Sequence, residues 1–267
     1  MRWTRAVLLL HVIRLARRAP RDVSTRWDRY WADIRDTGDH GDVLWDASTS
    51  DEAQRYLDLL AEYADPTLPV VDVGCGNGRF TRRIATRFDH TVGVDLSPHA
   101  VARAVRETPP GPRRVEYRNA DMTEPGAGAR LAAELGACTV FVRGVLHVMP
   151  APQRRALAAN LRDLVGARGT LLLAETNHPG PLLGYLENLG AGPRGLPPPL
   201  ARAIAAGLPR PRPCGDAEID DAFPPTDWVR VFTDADARIA TVLQPGGGTG
   251  TIAGHVAVLR PHGDGPR

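Results

Sequence analysis

An apolar segment that runs into three alternate glycines constrains this chain more than any other feature. Residues 70–73 have the composition of a buried strand, and Gly74, Gly76 and Gly78 follow at once. Glycines there let the backbone turn sharply and approach a ligand closely, and the helical composition of the next residues places free N–H groups beside them. A dinucleotide fingerprint needs its third glycine one residue later, where this chain has Arg79. The spacing therefore predicts a nucleotide-like ligand other than a dinucleotide.

Four further strands are predicted downstream of the glycines. The first of them, residues 91–94, ends in Asp95, about 20 residues past the first glycine, where an acid in such folds meets ribose hydroxyls. The others are expected at residues 115–118, 139–142 and 170–175, with helical segments between them. Strands that alternate with helices form βαβ units, so the pattern predicts an α/β fold whose mostly parallel sheet is covered by helices on both faces.

The last part of the chain adds to this sheet. We interpret residues 226–232 as a capped helix and residues 238–243 and 251–259 as two final strands. The predicted sheet therefore has seven strands.

The glycine segment, read as Asp-x-Gly-x-Gly-x-Gly from Asp72, resembles motif I of the class I S-adenosylmethionine (SAM) dependent methyltransferases. Asp95, the segment 119–122 and the segment 143–150 are similar to later motifs of that family, and the resemblance covers residues 70–260. It implies a Rossmann-like fold, SAM as cofactor, S-adenosylhomocysteine as product and no metal. The cofactor residues it implies are Asp72, Gly74, Gly76, Gly78, Asp95, Leu96, Asp121, Met122 and Arg143.

Candidate catalytic residues follow the fourth and fifth strands. Methyl transfer from a sulfonium is an in-line displacement, so the enzyme has mainly to align its reactants in a dry site. His147 is the leading candidate for removing a proton from a hydroxyl or an acidic carbon, because an imidazole titrates near neutrality. The alternative is that His147 only packs at the edge of the sheet. Glu175 and His178 are secondary candidates at the end of the fifth strand.

Composition divides the chain into three parts: a basic, apolar helix at 1–21, an aromatic-rich segment at 22–66, and the cofactor-binding domain at 67–267, with an insertion at about 178–225. The second part and the insertion are expected to be lids, meaning segments that fold over the site, and a surface loop without a catalytic role is the alternative for the Pro-rich stretch 193–225. The expected substrate-binding residues are Tyr30, Trp31 and Trp45, for which core packing is the alternative.

Charge is concentrated at the start of the chain. Residues 1–21 carry six arginines and no acid, whereas the whole chain has a net charge of only +2. The apolar run within them is too short to span a bilayer. Packing of residues 1–18 on the chain's own core or on the partner subunit of a homodimer is the favoured interpretation, and peripheral contact with an anionic membrane is the alternative.

Several function classes are disfavoured. The chain has no Lys, which excludes Schiff-base chemistry, and its three cysteines are far apart, which indicates neither a zinc site nor a disulfide framework. A cytoplasmic location is therefore expected. Beyond residue 21 the chain is slightly acidic and has no basic stripe interleaved with aromatics, so a nucleic-acid partner is not expected.

The resemblance implies methyl transfer to a small, largely apolar metabolite, of the kind made in secondary metabolism. Two alternatives stay open. A methyltransferase-like protein can act as a SAM-assisted cyclase or other non-methylating enzyme, or it can bind SAM without chemistry.

Overall fold

The computed structural model describes residues 2–17, 19–38, 41–46, 50–178, 180–192, 195–241 and 250–262. Eight strands lie within these ranges. Their bounds are β1 Val70–Val73, β2 His90–Asp95, β3 Arg114–Asn119, β4 Thr139–Arg143, β5 Leu171–Thr176, β6 Trp228–Asp234, β7 Arg238–Thr241 and β8 Gly250–Pro261.

Ten α-helices and one 3₁₀ turn precede or connect these strands within the described residues. The helices are α1 Arg2–Ala16, α2 Val23–Ala32, α3 Ser50–Tyr63, α4 Arg79–Ile84, α5 Pro98–Glu107, α6 Ala127–Leu135, α7 Ala151–Val165, α8 Leu182–Asn188, α9 Pro198–Ala206 and α10 Asp216–Ala222. The 3₁₀ turn, Leu146–Val148, follows β4 directly.

One mixed sheet organises the chain, with strand order β3-β2-β1-β4-β5-β8-β6 and β7 paired to β8. β1 to β5 are parallel, and β8 is antiparallel to its three neighbours. The predicted α/β fold is therefore confirmed. The strand order reverses between β1 and β4, and open α/β sheets bind ligands at the carboxyl ends of the strands beside such a switch point.

Two apolar cores cover the two faces of the sheet. On one face Val71 and Val73 of β1 join a cluster that includes Leu161 and Leu164 of α7. On the other face Val70 joins a cluster that includes residues of α3. All four residues of β1 are buried, which is typical of a central parallel strand with helices on both sides.

One predicted element is wrong. Residues 226–232 were expected to form a helix, but residues 228–234 form β6 and pair with β8. Thr226 resembles a helix cap, yet Trp228 and Asp227 instead donate backbone hydrogen bonds to the Pro224 carbonyl in a turn. The aromatic and β-branched residues that follow suit a pleated surface. The sheet thus has eight strands within the described residues, one more than predicted.

The helices outside the central sheet pack mainly on one another. Helix α9, inside the predicted insertion, contacts both α1 and α2, and α2 also contacts α5. Two apolar clusters form there. One includes Leu8 of α1 and Leu200 of α9, and the other includes Tyr30 and Trp31 of α2. The early helices and the insertion therefore meet beside the carboxyl end of the sheet, close to α5.

Candidate functional site

The three glycines that follow β1 adopt left-handed backbone conformations. The φ angles of Gly74, Gly76 and Gly78 are 78°, 54° and 73°, values that residues other than glycine rarely adopt. A Cβ atom at Gly74 would lie 2.4 Å from Cγ2 of Val145, and one at Gly76 would lie 2.7 Å from the Trp31 ring. Glycine is needed here both for the turn and for the close approach of neighbouring groups.

Asp95 is a buried carboxylate held beside this loop. Its two oxygens accept hydrogen bonds from the backbone N–H groups of Gly76 and Ser97, each at 2.9 Å. A carboxylate oxygen can accept a second hydrogen bond, so each oxygen retains acceptor capacity. Burial raises the pKa of Asp95 to about 6. The loop and the end of β2 thus present one preorganised acceptor.

Asp72, also predicted to bind the cofactor, has a different partner. It lies within β1 and accepts a hydrogen bond of 2.6 Å from the Thr81 hydroxyl. Burial raises the pKa of its carboxyl to about 7. Its observed contact fixes α4 to β1, so it supports the position of the glycine loop, and direct contact with the cofactor stays a prediction.

Three predicted residues follow β2 and β3. Leu96 is half-buried next to Asp95. One oxygen of Asp121 accepts hydrogen bonds from the backbone N–H and the hydroxyl of Thr123, at 2.8 and 2.7 Å, and so closes a tight turn. Met122 is buried in the apolar core on one face of the sheet. The structure places Leu96 and Asp121 at the edge that carries Asp95, while the Met122 side chain is largely committed to the core.

Arg143 ends β4, but its guanidinium bonds to other parts of the protein. It donates to the Glu52 carboxylate at 2.9 Å and to the backbone carbonyls of Trp45 and Ala240 at 3.3 and 3.4 Å. It also lies over the Phe80 ring, 4.8 Å from the centroid. These contacts tie β4 to α3 and β7. A cofactor role for Arg143 stays a prediction, and its observed contacts are structural.

His147 and Glu175 form a buried pair at the ends of β4 and β5. One oxygen of Glu175 accepts the backbone N–H groups of Val145 and Leu146, each at 2.9 Å. The other oxygen accepts the backbone N–H of His147 at 3.2 Å and lies 2.8 Å from Nδ1 of the His147 ring. Glu175 is fully buried and His147 is 9% exposed. One carboxylate therefore fixes both the backbone and the imidazole of this turn.

This geometry assigns the protons of the imidazole. A carboxylate can only accept a hydrogen bond, so Nδ1 of His147 carries the proton and Nε2 is left with its lone pair. A neutral imidazole in this tautomer can take a proton at Nε2 while Glu175 stabilises the resulting imidazolium. The arrangement has the features of a general base oriented by a carboxylate.

His178, the third catalytic candidate, lies beyond the end of β5. Its ring packs edge-on against Tyr185 of α8, with centroids 5.3 Å apart. Within the described part of the chain its Nε2 atom is buried without a hydrogen-bond partner. The structure does not join His178 to His147 and Glu175 through any hydrogen bond among the described residues.

The three aromatic residues expected to bind substrate form one cluster. Tyr30 and Trp45 stack at 5.1 Å, and Trp31 lies edge-on to both, at 5.7 and 6.2 Å. The clustered rings pack against Ala100 of α5 and Ala203 of α9. Only Trp31 is placed against the glycine loop by the contacts described above. Tyr30 and Trp45 are thus packing residues by their observed contacts, and their substrate roles stay predictions.

Asp28 was missed by sequence reasoning. It lies on α2 and accepts hydrogen bonds from the Ser97 hydroxyl at 2.8 Å and the His99 backbone N–H at 3.1 Å, and it lies 2.8 Å from Nδ1 of His99. These hydrogen bonds lower its pKa against the effect of burial. Asp28 therefore fastens α2 to the start of α5, two residues past Asp95.

Asp46 is a second missed contact between the early segment and the glycine loop. Its carboxylate accepts the Gly38 N–H at 2.6 Å and the Asn77 side-chain amide at 3.1 Å. Burial raises its pKa. Asn77 stands between two of the loop glycines, and a polar residue at that position is the only hint that sequence offers. The segment before α3 is thus hydrogen-bonded directly to the loop.

Comparison with known proteins agrees with this geometry. A sequence profile described as a methyltransferase domain matches residues 70–169, from the start of β1 to just before β5. The chain is also 36% identical over 75 residues to a 23S rRNA (uracil(1939)-C(5))-methyltransferase from Methylococcus capsulatus. That match covers 27% of this chain and spans only 17% of the relative's length.

Two solved structures are similar over nearly the whole chain. A SAM-dependent methyltransferase from Anabaena variabilis has 24% sequence identity and a TM-score of 0.77, covering 91% of this chain and 97% of its own. Magnesium protoporphyrin IX methyltransferase from Synechocystis, solved with bound S-adenosylhomocysteine, has 18% identity and a TM-score of 0.55, covering 89% and 93%. These similarities show that the fold is shared over most of the chain.

Proposed function

We propose that this chain, whose residues 70–169 match a methyltransferase domain, transfers a methyl group from SAM to a small, largely apolar metabolite. The observation that carries the proposal is the buried Asp95 carboxylate held against the glycine loop at the switch point of the sheet. It offers acceptors for ribose hydroxyls where the backbone approaches a ligand most closely.

The residues at this edge fit SAM. Asp95 has acceptor capacity for ribose hydroxyls, and the half-buried Leu96 offers an apolar surface for the adenine ring. In this proposal the Asp121 carboxylate accepts from the adenine amino group, and Met122 adds apolar contact. When bound, SAM supplies an electrophilic methyl group on a sulfonium. Trp31, at the glycine loop, offers an aromatic face that attracts such a cation and helps to exclude water.

In the proposed reaction His147 is the general base. Its Nε2 lone pair removes the proton from an acceptor hydroxyl or acidic carbon, so the proton ends on the imidazole as the methyl group reaches the acceptor. Glu175 is a positioning residue that holds the turn and favours the charged ring. His178, on the same side of the sheet, is available to contact the acceptor.

The proposed acceptor is a small molecule because the early segments are fastened to residues that border the candidate site. Asp28 and Asp46 fasten the early segments to α5 and to the glycine loop, which favours a ligand that fits beneath them over a long polymer. The Synechocystis neighbour is named for a small acceptor, magnesium protoporphyrin IX. The rRNA methyltransferase match is short, and beyond residue 21 this chain is slightly acidic, which does not favour a phosphate backbone as the ligand of the candidate site.

We place the reaction in the cytoplasm and in secondary metabolism. The three cysteines are buried and unpaired, which suits a reducing compartment. Among the described residues no cluster of His, Cys, Asp or Glu is arranged to hold a metal ion.

Incubation with methyl-labelled SAM and host extract tests the proposal. We expect label to appear in a small organic product and not in RNA or protein. A changed product without label would instead indicate a SAM-assisted cyclase. Absence of both would indicate a module that binds SAM without chemistry.

Cofactor affinity should depend on the protonation of Asp95. The ionised carboxylate accepts ribose hydroxyls best, and the pKa of Asp95 is about 6, so the competent form predominates above that pH and is lost as the pH falls through it. Affinity for S-adenosylhomocysteine should be about tenfold lower at pH 5 than at pH 8. Calorimetry from pH 5 to pH 8 checks this, and Asp95→Asn should remove the dependence. A wild-type profile as flat as that of the variant would contradict it.

A further inference from the structure

Helix α1 uses one face to pack on the rest of the chain. Leu8 is only 1% exposed. It belongs to an apolar cluster with Leu186 of α8 and Leu200 of α9, against which the half-buried Val12 also packs. Packing on the chain's own core, which the sequence favours for residues 1–18, therefore applies to this inward face of α1.

The opposite face of α1 is apolar and uncovered. Leu9, Leu10 and Ile13 are 47%, 66% and 44% exposed, and they are half of the six large hydrophobic side chains found exposed among the described residues. At about 100° per residue they span roughly a third of the helix circumference, away from Leu8 and Val12. We call Leu9, Leu10 and Ile13 the outer face of α1. Three large apolar side chains on one short helix indicate an interaction surface.

Basic residues border this outer face. Arg14 and Arg17 lie one turn beyond Leu10 and Ile13, and Arg21 follows the helix; all three are exposed. None of them forms a salt bridge in the part of the chain that the structure describes. No acid occurs before Asp22. The outer face is therefore an apolar patch within a positively charged field.

We propose that the outer face of α1 docks on an anionic lipid surface, with the helix lying in the plane of the interface. Leucine and isoleucine side chains would enter the boundary of the acyl chains while the arginines meet anionic headgroups. No helix among the described residues is long and apolar enough to cross a membrane, so the contact would be peripheral.

The positive charge around the outer face of α1 favours an anionic lipid surface over a second copy of the chain as its partner. A symmetric dimer through this face would bring the same patch of both copies together, with arginines facing arginines. An anionic surface offers the opposite charge to all of them at once. The proposal is independent of the methyl-transfer reaction, because α1 contributes none of the candidate site residues.

Vesicle sedimentation tests the proposal. We expect the full chain to sediment with vesicles of phosphatidylcholine and phosphatidylglycerol at low salt, to be released at high salt, and to bind vesicles of phosphatidylcholine alone at least tenfold more weakly. The triple variant L9S/L10S/I13S should lose binding at least tenfold while keeping its melting temperature, because these side chains are already exposed.

The matched control is V105S/V229S, which removes two other exposed hydrophobic residues, on α5 and β6. It should bind vesicles like the wild type. Failure of the wild type to bind anionic vesicles would overturn the proposal, as would equal binding to neutral ones. A dimer in solution that becomes a monomer in the triple variant would assign the outer face to a second copy and would also overturn it.

Discussion

Replacing His147 with alanine is expected to lower turnover about a hundredfold or more, while affinity for SAM stays within a few fold of wild type. The imidazole is the only group among the described residues that combines a free lone pair at the carboxyl edge of β4 with an orienting carboxylate. Its removal leaves the glycine loop and Asp95 in place. Steady-state kinetics would measure the turnover, and calorimetry would measure the affinity for SAM.

Two variants control this result. Glu175→Gln keeps the shape of the side chain but removes the charge that stabilises the imidazolium, so its turnover should fall while its affinity for SAM is retained. His262→Ala removes an exposed histidine beyond the end of β8, at the opposite edge of the sheet, and should change nothing. Lower thermal stability of His147→Ala with normal turnover per folded molecule would mean that His147 only packs the turn.

Replacing Asp95 with alanine is expected to weaken binding of SAM and S-adenosylhomocysteine by one to two decades. The variant loses hydrogen bonds to a charged acceptor, on the order of 1.5 to 3 kcal/mol. Calorimetry would measure the affinity directly. Because Asp95 also accepts the backbone N–H groups of Gly76 and Ser97, the melting temperature of the variant must be measured alongside.

Asp72→Asn is the companion variant to Asp95→Ala. Asp72 is also buried and lies on the adjacent strand, and its observed partner is Thr81. Retained cofactor affinity in Asp72→Asn would limit Asp72 to this contact, whereas lost affinity would support its predicted contact with the cofactor. Unchanged binding in Asp95→Ala would remove the predicted ribose contact from Asp95.

The central sheet is the part of the fold that the sequence predicts best. β1 to β5 lie within one residue of their predicted bounds. Four of them are apolar runs bounded by turn residues, and β3 keeps the strand-favouring Val115 and Tyr117. β6 was predicted as a helix because Thr226 resembles a cap. Its partner, β8, lies about 25 residues further on, and such non-local pairing is not visible in a local pattern.

The candidate site also contains residues that the sequence predicts and residues that it does not. Asp95 and the loop glycines were predicted because their spacing along the chain carries the information. Asp28 and Asp46 were not, because each acts through a contact between segments distant in sequence. Glu175 was proposed as a catalytic group, but its hydrogen bonds to three successive backbone N–H groups appear only when β4 and β5 are side by side.

The most direct test of the central claim is a calorimetric titration of the wild-type chain with S-adenosylhomocysteine, SAM and NAD. We predict binding of both adenosyl ligands at one site per chain and no heat from NAD, because the third glycine is at position 78 and position 79 is Arg. Binding of NAD, or no binding of either adenosyl ligand to folded protein, would contradict the account.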